Sequence, residues 1–304
     1  MSRIRLEVGS EPFPGLKLLQ LRGRGGFAEV WEALDQHGRR IAVKFMETRN
    51  SASSVKEMRI IQAIQKLSHR YLLRINHVWS IPQYIVVAME LADGSLLDLM
   101  DAYLTEFRLP PAPELVLRYM RQAAEGLDFL NARQHQFDGR TVSFIHCDVK
   151  PSNLLLVGDT LKLADFGLAT STDGRLTAYD RAGTPDFAAP EVHGGGLADT
   201  SDQYSFAVTY YYLRTGKLPF PTPAGRFQRA YSVNRREPDL SGVRPGERWV
   251  LQRALELDPT ARWPSCAAMM AALTDTFKVS GRSAHTIKLP GASTETPKPA
   301  PTRG

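Results

Sequence analysis

Cysteine is nearly absent from this chain of 304 residues, which holds only Cys147 and Cys266 and no C-x-x-C pair. A structural zinc centre uses about four cysteine or histidine ligands at short spacings, so this scarcity argues against a zinc cluster. It argues equally against a framework of disulfide bonds.

Long hydrophobic runs are also missing. The most apolar stretch, YIVVAMELA, is far shorter than the roughly 20 residues that an α-helix needs to cross a bilayer. The N-terminal stretch MSRIRLEVGSEPFPG has no apolar core of the kind found in secretory signals. The sequence therefore predicts no membrane span and a cytoplasmic location.

The net charge of +6 is concentrated at one end of the chain. Residues 278–304 carry five basic residues and one acidic residue, which leaves about +2 for residues 1–277. The body of the protein therefore lacks the basic surface of a nucleic-acid-binding protein, and we expect no nucleic-acid partner. The same tail is rich in Pro and Thr, with little to bury, and we expect it to be disordered.

The hydrophobic pattern changes along the chain from strand-like to helical. Five strand-like runs fill the first third, and one helical stretch among them has apolar residues on a single face: Ile60, Ile61, Ile64 and Leu67. From Gly94 onward the patterns are helical. The sequence thus predicts an α+β protein with an N-terminal extension, a small β-rich lobe, a larger helical lobe and a tail; the ranges are 1–13, 14–91, 92–277 and 278–304.

A glycine cluster joins the first two predicted strands in GRGGFAEVW. A dinucleotide-binding fingerprint needs a strand followed by a helix, so this strand–turn–strand pattern excludes it. Gly23, Gly25 and Gly26 have no side chains, which would let the backbone close over phosphate groups. Taken alone, the cluster fits an ordinary hairpin turn at least as well.

Lys44, in the third predicted strand, needs a carboxylate partner if its ammonium group is to bind phosphate oxygens. Glu57 is the only acidic residue between Glu47 and Glu90. An alternative is that Ser54 and Glu57 form a capping box at the start of the helix. We favour the pairing of Lys44 with Glu57 because it agrees with the motifs that follow.

The stretch FIHCDVKPSN, residues 144–153, leaves a metal site, a redox site and a catalytic loop all open when it is taken alone. Asp148 can accept a proton from an attacking hydroxyl, and Lys150 can neutralise a transferred phosphoryl group. Asn153 and Asp165, the latter in ADFGLA, offer hard oxygen ligands to Mg²⁺. This set favours phosphoryl transfer.

The glycine loop, IAVK, the helix glutamate, HCDVKPSN, DFG and APE occur in one chain, in this order. In order and approximate spacing they resemble the eukaryotic-like protein serine/threonine kinases, of the type found in bacteria. The resemblance covers nearly all of residues 14–277. It implies a bilobal kinase fold, with a small antiparallel sheet and one helix in the N-lobe and a mainly α-helical C-lobe.

The resemblance also implies ATP and Mg²⁺ as cofactors and assigns a nucleotide site. Gly23, Gly25 and Gly26 would cover the ATP phosphates, and Lys44, paired with Glu57, would hold the α- and β-phosphates. Further residues would surround the adenine: Val30, Ala42 and Leu155 on its faces, Met89 as gatekeeper, and the Glu90 carbonyl and Ala92 amide at its edge.

The resemblance assigns the catalytic residues in the same way. Asp148 would be the catalytic base, with Lys150 beside it, and Asn153 and Asp165 would bind Mg²⁺. Asp202 would anchor the catalytic loop. In addition, Arg262 would be the buried partner of Glu191.

Two features of the resemblance concern the substrate. Lys150 and Thr184 are placed as in kinases that phosphorylate serine and threonine rather than tyrosine. The APE segment favours a protein substrate over a small molecule. Neither the substrate protein, the activating signal nor the oligomeric state is indicated by the sequence.

The chain departs from the family pattern at several places. Ala28 occupies the third glycine position, the Lys44–Glu57 spacing is short, and the link from Leu130 to His146 is long. Because Asp138-Gly139 within that link is a turn signal, we expect a small inserted excursion there.

The fourth departure is Cys147, where most relatives have an arginine that binds a phosphate on the activation loop. Cysteine cannot form that pair, so we predict an active kinase that does not depend on phosphorylation at Thr172 or Thr177, the possible phosphosites. Two alternatives remain: a redox-sensitive thiol activated by a cationic His146, and a pseudokinase scaffold that only binds ATP.

Overall fold

The computed structural model describes residues 4–26, 28–48, 51–171, 185–220 and 237–283, and all structural statements concern these ranges. Three residues singled out from the sequence, Thr172, Thr177 and Thr184, lie outside them. Within the described ranges, no helix combines the length and the apolar character that a membrane crossing requires.

The small lobe is built on an antiparallel sheet of five strands in the order β1-β2-β3-β5-β4. The strands are β1 (Lys17–Arg24), β2 (Ala28–Leu34), β3 (Arg40–Glu47), β4 (Ile75–Ile81) and β5 (Tyr84–Met89). Alternate side chains point to one face of the sheet, and there Leu18, Trp31, Phe45 and Val86 form a small core. The predicted strands are therefore confirmed.

Residues before β1 pack on this same sheet. Gly9 N–H donates to Leu18 O, and Leu18 N–H donates to Ser10 O. The ring of Phe13 lies 6.4 Å from Phe45 and 5.4 Å from Trp79, centroid to centroid. The described part of the predicted N-terminal extension is thus held against the small lobe.

One helix, α1 (Ser51–Gln65), accompanies the sheet. Ile60, Ile61 and Ile64 are buried on one face, as the sequence periodicity predicted. The capping-box hypothesis for Ser54 is wrong, because the helix begins at Ser51 and Ser54 lies inside its first turns.

The large lobe is mainly helical. Its helices are α2 (Leu96–Phe107), α3 (Pro113–Asn131), α4 (Pro190–His193), α5 (Ser201–Thr215), α6 (Pro245–Ala254) and α7 (Cys266–Ser283). Helix α5 is buried nearly all round, with Tyr204, Phe206 and Tyr210 fully inaccessible, which is typical of a central helix in a large core. Helix α7 continues past Phe277, where the sequence analysis ended the lobe.

Short strands complete the large lobe and shape the loops between its helices. They are β6 (Gly94–Ser95), β7 (His135–Phe137), β8 (Arg140–Val142), β9 (Phe144–Ile145), β10 (Leu154–Val157), β11 (Thr160–Leu163) and β12 (Thr170–Ser171). Strands β7 and β8 form the expected inserted hairpin. Its turn residues Asp138 and Gly139 have φ of 49° and 74°, the left-handed pair that an Asp-Gly turn favours.

A buried ion pair ties the start of α4 to the loop before α7. Arg262 Nη1 and Nη2 donate to the two carboxylate oxygens of Glu191 at 2.7 and 2.9 Å. Burial alone would raise the pKa of Glu191, but the Arg262 guanidinium outweighs it and lowers that pKa. The pairing inferred from the family resemblance is confirmed.

We predict that Arg262→Ala lowers the free energy of unfolding by about 3–5 kcal/mol, because it leaves the Glu191 carboxylate buried and uncompensated. Urea unfolding at neutral pH measures the effect. The difference should shrink as the pH falls through the lowered pKa of Glu191, since protonation removes the buried charge in both proteins.

The matched control is Lys278→Ala, which breaks an ion pair with Asp275 whose side chains are 69% and 68% exposed. That change should alter the free energy of unfolding by less than about 1 kcal/mol. Equal losses in the two variants would contradict the structural role given to Arg262.

Candidate active site

A cleft of about 570 Å³ lies between the sheet of the small lobe and the large lobe. Its walls combine apolar side chains with a few charged ones, the usual character of a small-molecule site. Predicted site residues along it are Gly23, Val30, Ala42, Lys44, Glu90, Ala92, Asn153, Leu155 and Asp165. Residues from four strands and from the segments between elements are thus brought to one place.

The inner end of the cleft is apolar. Val30, Ala42 and Leu155 belong to one cluster that also includes Met89. Leu73 is a further member, 4% exposed and on the cleft wall, which the sequence analysis did not identify. A single leucine just before a strand carries no signal in the sequence that separates it from ordinary core residues.

The segment that joins the lobes, from Glu90 to Ala92, lines the cleft and has backbone groups without a hydrogen-bond partner among the described residues. Glu90 N–H donates to Arg74 O at 3.0 Å, which fixes the segment against the start of β4. Within the described ranges, the Glu90 carbonyl and the Ala92 N–H have no hydrogen-bond partner. Both are therefore available to pair with the edge of a planar base, as the resemblance implies.

The glycine turn is only partly in the cleft. Gly23 lies on the cleft wall, whereas Gly25 N–H donates to Ala28 O at 2.8 Å and closes the turn between β1 and β2. Among the described residues, Gly25 and Gly26 do not line the cleft. Their phosphate-binding role stays a prediction.

The loop before β10 is held by a buried carboxylate. Asp202 Oδ2 accepts from His146 N–H at 2.7 Å, and its Oδ1 accepts from Cys147 N–H at 2.9 Å. Burial raises the pKa of Asp202, although these two N–H groups favour the charged form. Cys147 has a left-handed φ of 65°, uncommon for a residue other than glycine. The anchoring role inferred for Asp202 is confirmed.

His146 is fixed by both of its ring nitrogens. Its Nε2 lies 2.9 Å from Ala164 O, and its Nδ1 accepts from Asp148 N–H at 3.3 Å. Since Nδ1 accepts, Nε2 is the ring nitrogen that donates to Ala164 O. These contacts fix the orientation of the ring, and the redox hypothesis for Cys147 stays a prediction.

The three polar residues of the loop converge. Asn153 Nδ2 donates to both Asp148 O and Asp148 Oδ2, each at 2.8 Å. Lys150 Nζ lies 2.8 Å from the same Oδ2. The carboxylate of Asp148 is therefore oriented from two sides, and an ammonium group stands beside it where a transferred phosphoryl group would need neutralising.

Asp165, at the start of the DFG turn in the same lobe, lies near this group and lines the cleft. Lys44 Nζ lies 2.5 Å from Asp165 Oδ1. Burial in the cleft would raise the pKa of Asp165, but the Lys44 ammonium outweighs it and holds that pKa at about 2. The side chain is 37% exposed and lines the cleft. Asp165 is consequently ionised at any physiological pH.

The predicted pairing of Lys44 with Glu57 does not occur in the structure. Within the described ranges, Lys44 forms its ion pair with Asp165 alone. Glu57, on the second turn of α1, instead lies beside the DFG turn: a methyl group on Gly167 would be 3.2 Å from Glu57 Oε1. The rotation of α1 turns Glu57 toward Gly167, and Asp165 is the carboxylate within reach of the Lys44 ammonium group.

The oxygen atoms needed for a Mg²⁺ ion are present. Both hydrogen atoms of the Asn153 side-chain amide are donated to Asp148, which leaves the amide oxygen Oδ1 free to coordinate a metal ion. Asp165 Oδ2 accepts no hydrogen bond from the described residues, while Oδ1 is held by Lys44. Hard, uncommitted oxygens of this kind suit Mg²⁺, so the two residues fit the predicted metal site.

We predict that Lys44→Met raises the pKa of Asp165, because the variant removes the strongest cause that opposes burial. In the wild type this ion pair stabilises the fold above the unfolded pKa of 3.8, and the stabilisation is lost as the pH falls toward about 2. The deficit of the variant in the free energy of unfolding should therefore be larger at about pH 7 than at about pH 2.5, because the wild-type stabilisation is lost mainly between those two pKa values. Urea unfolding at the two pH values measures it.

Lys17→Met is the control, since Lys17 is an exposed lysine of the same sheet. It should produce no pH-dependent deficit. A constant difference between wild type and Lys44→Met across this pH range would contradict the proposed control of Asp165 by Lys44.

Comparison with known proteins agrees with this geometry. A chain from rice, CBL-interacting protein kinase 4, is 34% identical over 81% of this chain and 53% of its own length. Maternal embryonic leucine zipper kinase of zebrafish is 31% identical over 69% of this chain and 30% of its own length. The chain thus spans about half or less of these curated relatives.

The fold has a solved counterpart in the kinase domain of PknI from Mycobacterium tuberculosis, crystallised as a mutant. It is 23% identical, with a TM-score of 0.69, and the match covers 90% of this chain and 99% of that one. The profile described as "Protein kinase domain" matches residues 16–273. With its two-lobed architecture and the residues that converge in the cleft, the chain belongs to the protein kinase domain family.

Proposed function

We propose that this chain is a protein serine/threonine kinase that uses Mg²⁺ and ATP to phosphorylate protein hydroxyl groups. One observation carries the proposal: the Asp148–Lys150–Asn153 cluster of the large lobe lies beside the cleft that the Lys44–Asp165 pair bridges from one lobe to the other. Asn153, Lys44 and Asp165 all line that cleft. Positioning and charge neutralisation are what phosphoryl transfer requires of a protein.

The residues of the chain have separable roles in this chemistry. Asp148 accepts the hydrogen bond of the substrate hydroxyl and takes its proton, and Asn153 keeps the carboxylate turned toward that hydroxyl. Lys150 neutralises negative charge beside it, and Lys44 binds phosphate oxygens while it keeps Asp165 ionised. Mg²⁺, held by Asn153 and Asp165, would supply further charge neutralisation at the phosphates when bound.

The names of relatives support the choice of a protein substrate. A rabbit protein named serine/threonine-protein kinase 17A is 28% identical over 72% of this chain and 56% of its own length. Lys150 stands two residues after Asp148, the arrangement that the family resemblance connects with serine and threonine substrates. We infer the same substrate class for this chain.

We predict that Asp148→Asn lowers the rate of phosphate transfer by about 10²- to 10⁴-fold, the usual contribution of a general base. The measurement is transfer of radiolabelled γ-phosphate to a generic protein substrate. Binding of ATP should persist, because Asp148 is absent from the residues that line the nucleotide cleft.

The comparison with wild type separates the two candidate functions. If wild type and Asp148→Asn bind ATP and are equally silent in transfer, the chain is an ATP-binding scaffold and the kinase proposal is wrong. A matched control is Asp159→Asn, an aspartate on the surface of the same lobe with a side chain 93% exposed, which should leave transfer unchanged.

We infer further that activity does not depend on phosphorylation of the activation segment through residue 147. Cys147 is 5% exposed, and its Sγ lies 3.5 Å from Ile145 O, beneath the loop. A small thiol in this position cannot make the paired, charge-assisted hydrogen bonds with which arginine binds a phosphate. The catalytic cluster at Asp148 is nevertheless assembled.

The prediction is that replacing both Thr172 and Thr177 with alanine changes the transfer rate by less than about twofold, because no arginine at position 147 binds a phosphate there. Steady-state kinetics of the double variant, beside wild type treated with a phosphatase, test this. A large fall in either sample would mean that a phosphorylated activation segment is needed after all.

A further inference from the structure

The inserted hairpin of the large lobe reaches the helix of the small lobe. Arg59 of α1 donates a hydrogen bond to Asp138 at the tip of the β7–β8 hairpin and forms an ion pair with it. The Arg59 guanidinium also lies over the ring of Phe137, with its carbon 5.9 Å from the ring centroid. The two lobes are therefore joined at a point outside the cleft.

The hairpin is firmly attached to the base of the catalytic loop. The ring of Phe137 packs edge-on against Phe144, with centroids 5.9 Å apart. His135 Nε2 lies 2.7 Å from Phe129 O at the end of α3, and Val142 is 1% exposed. Since Phe144 begins the strand that leads directly into His146, movement of the hairpin is tied to movement of the catalytic loop.

The opposite side of α1 faces the DFG turn. Positions two residues apart on an α-helix point about 200° away from each other, so Glu57 and Arg59 lie on nearly opposite sides. Glu57 Oε1 is in close approach to Gly167, while Arg59 is bound to the hairpin. Helix α1 is thus held between two parts of the large lobe.

We propose that the β7–β8 hairpin is a positioning device for α1. The Arg59–Asp138 pair, supported by Phe137, sets the rotation of the helix and through it the place of Glu57 beside the turn that carries Asp165. The kinetic consequence rests on the proposed kinase function, whereas the effect on the helix itself does not. Arg59 and Asp138 are positioning residues, because neither lines the cleft.

The side chains of Arg59 and Asp138 are 56% and 47% exposed, so the pair contributes little to overall stability. Its effect should be local, on the opening of α1. Segments held by few contacts open at a lower free energy than the rest of a fold. A measurement confined to global unfolding would miss it. Hydrogen exchange of the α1 amides reports the local opening directly.

The test compares Arg59→Met, Asp138→Asn and the double variant in the full chain. Met keeps the apolar stem against Phe137 while removing the charge, and Asn tolerates the left-handed backbone at position 138. Each single variant should speed exchange in α1 by about two- to fivefold, the range set by an exposed ion pair. The apparent KM for ATP should rise, or kcat fall, by a similar factor.

Non-additivity is the decisive readout. Because both changes break the same contact, the double variant should exchange no faster than either single variant. The KM for the protein substrate should not change. The matched control is Arg118→Met with Asp159→Asn, a 3.4 Å surface pair whose aspartate also lies in a tight hairpin turn, and it should leave α1 exchange and kinetics as in wild type.

The outcomes separate this inference from the proposed function. Suppose that the wild type transfers phosphate. If α1 exchange is then unchanged in the variants, or if the effects of the two changes are strictly additive, the positioning role is overturned and the kinase proposal stands. Faster, non-additive exchange in a chain that transfers no phosphate would support the positioning role and overturn the kinase proposal instead.

Discussion

The ion pair between Lys44 and Asp165 is the interaction on which the rest of the site depends. It joins β3 of the small lobe to the DFG turn of the large lobe across a cleft that would otherwise disfavour either charge. Because the ammonium group outweighs burial, the carboxylate stays ionised and keeps one oxygen free. The contact thus links the two lobes across the cleft and leaves an ionised carboxylate oxygen on its wall.

A second buried carboxylate supports the first. Asp202 accepts from two successive backbone N–H groups and so holds Cys147 in a left-handed conformation that its side chain alone would disfavour. That backbone bend directs Asp148 toward Lys150 and Asn153. The arrangement does not require arginine at position 147, which explains how Asp148, Lys150 and Asn153 come together beside Cys147.

The sequence predicted local features better than contacts between distant elements. The five strands, the buried face of α1 and the Asp138 turn depend on short-range periodicity and turn chemistry, and all were confirmed. The predicted pairing of Lys44 with Glu57 was wrong, because this contact depends on the rotation of α1 relative to the sheet, which no local pattern encodes. Leu73 and the contact of Arg59 with the hairpin were missed for the same reason: each is created only when the lobes come together.

We propose that the cleft transfers phosphate to serine and threonine hydroxyls. The most direct measurement is phosphoamino-acid analysis of a protein mixture after incubation of the purified chain with Mg²⁺ and γ-labelled ATP. We expect label in phosphoserine and phosphothreonine and none in phosphotyrosine. Label confined to phosphotyrosine or to small molecules, or no label at all from a chain that binds ATP, would contradict the account.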